Sequence, residues 1–133
     1  MKAMRYVMCL AIAAMVAIMT SCGSKDAGLA KAVEEINKQV ENQKMPGIDK
    51  MSLDFDDEYV IYNYLIDEEA IDMADLQGAL DETKAQLSQT VVHNPANRKF
   101  TELVKKTGRG YKIVYKGNDS GEEAIILYSN DEL

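Results

Sequence analysis

The spacing of apolar positions changes several times along the chain, and each change marks an element. Leu29, Val33, Ile36 and Val40 recur at helical spacing, while Lys31, Glu34, Glu35, Lys38 and Glu41 occupy the other faces. Met45-Pro46-Gly47 ends this helix, because proline resists continuation and glycine accepts unusual dihedrals. Met51, Leu53 and Phe55 then alternate with Ser52, Asp54 and Asp56, the pattern of a strand with one wet face. Asp56-Asp57-Glu58 reads as a turn, and Tyr59 to Ile66 as a β-branched and aromatic strand carrying Val60, Tyr62, Tyr64 and Ile66 on one side. Two strands joined by a short polar turn predict a hairpin.

A second helix is expected from Asp72, a good N-cap with Asp75 favourable just inside it. Its apolar stripe is Met73, Leu76, Leu80, Leu87 and Val91. Asn94-Pro95 supplies a cap and a first-turn proline for a short third helix with Phe100, Leu103 and Val104, which stops at Thr107-Gly108. Tyr111, Ile113 and Tyr115 alternate with Lys112 and Lys116, residues 117–121 form a turn, and residues 122–128 form a closing strand. The order αββααββ predicts an α+β domain: an antiparallel sheet of about four strands with helices packed on one face.

The segment before these elements is of another kind. Lys2 and Arg5 precede an apolar run of 13 residues, Val7 to Met19; the small residues Thr20 and Ser21 follow, then Cys22 and a polar chain. That is the layout of an export signal. A membrane-crossing helix needs about 20 apolar residues, so a cleaved segment is favoured over a permanent span. With Cys22 behind the cleavage site, the segment resembles the bacterial lipoprotein signal, whose thiol receives a diacylglycerol. Met19 stands where the common box has leucine. The resemblance implies lipid attachment at Cys22, a membrane contact made through that lipid, and a place in the bacterial cell envelope. Gly23 lacks the aspartate that retains enterobacterial lipoproteins at the inner membrane, which favours the outer membrane. Ser24-Lys25-Asp26 resembles a weak acidic surface-export signal, so the leaflet stays open. The expected division is a signal peptide at 1–21, the lipidated cysteine and a flexible tether at 22–28, and one domain at 29–133.

The chain carries a formal charge of −7, which becomes −9 once Lys2 and Arg5 leave. Nucleic acid and anionic head groups both require a basic face, and none is apparent, so no nucleic-acid partner is expected. Cys22 is the only cysteine after the signal, which excludes an intramolecular disulfide. Zinc spacing, a GxSxG elbow and an HExxH pair are all absent, so no catalytic residue, metal or cofactor is expected.

The single histidine, His93, reads as a capping or surface residue. The acidic clusters at 54–58 and 67–75 lack the layout of a calcium loop and read as a solvated turn and a helix start. Six of the seven tyrosines follow the signal, all in expected strands. Tyr62 with Tyr64, and Tyr111 with Tyr115, share faces. They either cover the sheet beneath the helices or form a candidate partner surface. The final Asn130-Asp131-Glu132-Leu133 resembles an ER-retention tetrapeptide but begins with the wrong residue and reads as a polar tail.

From about Met45 onward the chain resembles a small domain of lipoproteins and secreted proteins from Bacteroidetes-like bacteria, a family of unknown function. Tyr62-Asn63-Tyr64-Leu65, Asn94-Pro95 with Arg98, and the tyrosine strand before a glycine-containing turn carry that resemblance. It implies a shared fold and an envelope setting, and no activity. The expected function is a lipid-anchored envelope protein with a non-enzymatic binding or accessory role, contacting another envelope protein. The alternatives are a small envelope enzyme or inhibitor acting on peptide or glycan near His93, or an unlipidated ligand-binding module.

Overall fold

The computed structural model describes residues 25–41, 43 and 45–133. The signal segment 1–21 and Cys22 lie outside the described residues. Helix α1 (Lys25–Val40) leads, followed by β1 (Ile48–Phe55) and β2 (Tyr59–Ile66). Helices α2 (Met73–Gly78), α3 (Leu80–Leu87) and α4 (Arg98–Lys106) come next, then β3 (Gly110–Gly117) and β4 (Glu123–Tyr128). The expected α+β class and helix-first order are both present.

The four strands lie in the order β1-β2-β3-β4. Both hairpins pair antiparallel, but the central pair β2–β3 runs parallel, so the sheet is mixed rather than antiparallel throughout. The helices between β2 and β3 carry the chain back to the end where β2 began, the crossover that parallel neighbours require. Periodicity within a strand carries no information about its direction, and the sequence therefore left this pairing unread.

Two other boundaries differ from expectation. Helix α1 begins at Lys25, inside the expected tether. Once Leu29 is buried, each preceding residue adds a backbone bond at little further cost. The expected second helix is broken: Ala79, at φ −114° and ψ 18°, separates α2 from α3, and α3 runs on into a wide π turn at Ser88–Val92. Helix α4 stops as expected at Thr107-Gly108, where Gly108 takes φ 79°, a conformation that costs a residue without Cβ little.

The core lies between the helices and one face of the sheet. Leu29, Val33, Ile36 and Val40 of α1 share the core with Met51 and Leu53 of β1, Val60, Tyr62, Tyr64 and Ile66 of β2, and Tyr111, Ile113 and Tyr115 of β3. Phe100 and Val104 of α4 and Leu76 of α2 complete it.

One helix–sheet contact is polar. Asn37 accepts from the Leu53 N–H at 2.7 Å and donates to the Leu53 carbonyl at 2.9 Å, so its carboxamide takes the place of a neighbouring strand on the outer edge of β1. Replacing Asn37 with alanine leaves both groups of Leu53 unpaired at a partly buried position. The expected loss is about 1–3 kcal/mol, read as a lower urea midpoint with an unchanged slope.

Candidate functional site

The four tyrosines put forward as a partner surface are core residues. Tyr62, Tyr64, Tyr111 and Tyr115 are exposed by 4%, 3%, 0% and 0%. The parallel β2–β3 register sets Tyr64 opposite Tyr115, and their rings stack at 5.2 Å. Tyr62 meets Tyr111 edge-on at 5.5 Å, and Phe100 stacks on Tyr111 from α4. The Tyr111 hydroxyl hydrogen-bonds Thr101 Oγ1 at 2.8 Å, whereas the Tyr115 hydroxyl is buried without a partner among the described residues. Loss of hydration drives the phenol pKa values of all four above their ordinary value, and that of Tyr128 as well. Large rings on adjacent strands remove much apolar area from water when the helices cover them.

The acidic clusters hold turns together. Asp56 accepts from the backbone N–H groups of Glu58 and Tyr59, which lowers its pKa. Asp72 caps α2 through the Ala74 N–H. Glu68 accepts from the Asp119 N–H, the Ser120 N–H and the Ser120 hydroxyl, all within 2.7 Å, and so fastens the β2 exit to the β3–β4 turn. Those bonds, Ser120's first, lower the Glu68 pKa. Among the described residues, no three His, Cys, Asp or Glu side chains converge to hold a metal ion.

His93 is exposed and lines a cleft of about 450 Å³ with Arg98, Thr101, Glu102 and Lys105. Arg98 faces Glu102 at 3.7 Å, and Lys105 donates to the Leu133 carbonyl at 3.0 Å. No hydrogen bond joins His93 to a carboxylate among the described residues. The terminal residues are docked rather than a loose tail: Ser129 and Glu132 form a capping box, and Asn130 donates to the Lys105 and Arg109 carbonyls.

Among the described residues no helix packs on the second face of the sheet, which is the stronger candidate. Register puts Lys50, Ser52 and Asp54 of β1 beside Ile61, Asn63 and Leu65 of β2. Lys112, Val114 and Lys116 of β3 follow, then Leu127, Ile125 and Glu123 of β4. Ile125 and Leu127 are 41% and 44% exposed, the two large hydrophobic side chains most open to solvent among the described residues. A shallow depression of about 350 Å³, lined by Lys50, Ser52, Asn63, Leu65, Val114, Lys116 and Glu123, lies in the same face. Three lysines and two acids make this face slightly positive in an acidic protein. Exposed apolar side chains along the β4 edge, next to the lysines of β3, give this face the mixed apolar and charged character of a protein-contact surface.

Part of this face was legible in the sequence. The alternation that buries Tyr111 and Tyr115 puts Lys112 and Lys116 outside, and the run Ile125-Ile126-Leu127 is apolar on both sides of a strand. The missing information was which face the helices cover.

No family model matches the chain, and no curated protein matches it. Among solved structures, the chain is similar to a protein of Pseudomonas aeruginosa described as a candidate secreted protein. The likeness covers 84% of this chain and 98% of that one, with a TM-score of 0.58 and 13% identity. At that identity it shows a shared fold.

Proposed function

We propose that this chain is a lipid-anchored protein of the bacterial cell envelope, held by acyl chains on Cys22 in the outer membrane, with a non-enzymatic binding role. The contact surface is the uncovered face of the sheet. The observation that carries this reading is the exposure of Ile125 and Leu127 on β4, next to Lys112 and Lys116 of β3. The occupant is another envelope protein presenting apolar side chains flanked by carboxylates, since Lys50, Lys112 and Lys116 offer positive charge without an ion-pair partner within 4 Å among the described residues. The candidate secreted protein that shares the fold agrees with an exported setting.

A photo-crosslinking residue at position 63, in the full-length chain in intact cells, tests the reading. The expected adduct is with one envelope protein, and Lys50→Glu with Lys116→Glu reduces it by about tenfold or more through like-charge repulsion. Cys22→Ala abolishes both the adduct and metabolic labelling with palmitate. An adduct indifferent to charge reversal overturns the surface, and an unlabelled Cys22 overturns the anchor.

A further inference from the structure

The two edges of the sheet are finished differently. On β1 the outward N–H and C=O of Leu53 are taken by Asn37, and the outward N–H of Phe55 by Asp54 Oδ1 at 2.8 Å. On β4 the bond from the Gly117 N–H to the Glu122 carbonyl sets the alternation. Ala124, Ile126 and Tyr128 exchange bonds with β3, while Glu123, Ile125 and Leu127 direct theirs outward. Gln77 Nε2 donates to the Glu123 carbonyl at 3.2 Å. The outward groups of Ile125 and Leu127 have no partner among the described residues, and these are the two exposed apolar side chains. Natural sheets blunt such edges with charged residues, proline, a bulge or a covering helix or loop, and here Glu123 and Gln77 of α2 do so at the first residue of β4 alone. From Ile125 to Leu127 β4 has none of these among the described residues: it carries no charge, proline or bulge there, and its register with β3 is unbroken.

We propose that β4 pairs with β4 of a second copy of this chain, antiparallel about a two-fold axis through Ile125. In that register Ile125 faces its own counterpart, and Glu123 faces Leu127 of the second copy. Leu127 lies beside Lys112 on β3, so each Glu123 carboxylate approaches a lysine of the other copy and like charges stay apart. The Glu123 carbonyl keeps a second lone pair for the incoming N–H despite Gln77. Because β1 is plugged by Asn37, head-to-tail stacking of β4 on β1 is blocked. The remaining pairing uses the same edge twice and closes at two. The product is an eight-stranded sheet in which the two uncovered faces run together. This pairing stands whether or not Cys22 carries lipid.

Cysteine at position 125 tests it in the full-length chain. On the two-fold axis the paired Cα atoms lie about 5.5 Å apart, within the range of a disulfide. Mild oxidation of cells carrying Ile125→Cys is expected to give a dimer on non-reducing gels at least about tenfold faster than Lys50→Cys, which lies on the same face at the far edge. The molar mass of the purified chain is expected to rise with concentration toward two copies, and Leu127→Lys to raise the dissociation constant about tenfold or more. A rate equal to that of Lys50→Cys, or a single-copy mass at every concentration, overturns the proposal. A disulfide adduct with a different protein overturns it in favour of a strand donated by another chain.

Discussion

Replacing Tyr62 and Tyr64 together with alanine is expected to prevent folding. Each ring is buried, and deleting a buried aromatic side chain costs about 3–5 kcal/mol through lost transfer energy and the cavity left behind. The pair approaches the whole stability of a domain this size, about 5–15 kcal/mol. The cavities are contiguous with the Tyr111 and Tyr115 rings, so the loss also reaches the β2–β3 pairing. Far-UV circular dichroism and urea titration check this, and a double variant with a native spectrum and an unshifted midpoint would contradict the packing.

Tyr115→Phe serves as the counterpart. The Tyr115 hydroxyl is buried without a partner among the described residues, and such a group costs about 1–3 kcal/mol. Its removal is expected to leave the melting temperature unchanged or raised. Tyr111→Phe, which breaks the bond to Thr101, is expected to lower it by about the value of one hydrogen bond, roughly 1 kcal/mol.

Alkali is expected to unfold the protein in one cooperative step. Desolvation raises the phenol pKa values of Tyr62, Tyr64, Tyr111, Tyr115 and Tyr128 above those of the unfolded chain. A raised pKa means the folded state holds its proton where the unfolded state has released it. The stabilisation is complete below the unfolded value near pH 10 and is lost as pH rises toward the folded values. A fully buried phenol contributes up to about 1.4 kcal/mol per pH unit in that window, so several together rival the stability of a whole domain within a unit or two. For a domain of ordinary stability the midpoint falls at about pH 11–12. Tyrosinate absorbance and circular dichroism should therefore change together. Ionisation of several rings ahead of the loss of secondary structure would show that the sheet beneath the helices is open to water.

The helical spacing of Leu29, Val33, Ile36 and Val40, the hairpin turn at Asp56 and the stop at Gly108 were all legible in the sequence, and the Asn94-Pro95 cap was legible too, although it opens a 3-10 turn at Pro95–Asn97 and α4 begins only at Arg98. Each is a local matter: side-chain period, a capping oxygen, a fixed φ or a permitted one. Local rules also placed Lys112 and Lys116 on the face opposite Tyr111 and Tyr115. Which face was inside could not be read from Tyr59–Ile66, because both of its faces are apolar. That choice depends on where α1 and α4 come to rest, and the largest rings win the covered side because they remove the most area from water.

The parallel β2–β3 pairing, the Asn37 plug on Leu53 and the open edge at Ile125 and Leu127 were likewise beyond the sequence. All three join residues far apart in the chain through backbone groups, and every residue except proline carries the same backbone donor and acceptor. The sequence determined most of the elements and the acidity of this protein. Tertiary structure alone decided which strands meet, which tyrosines lose their water and which edge is left to pair.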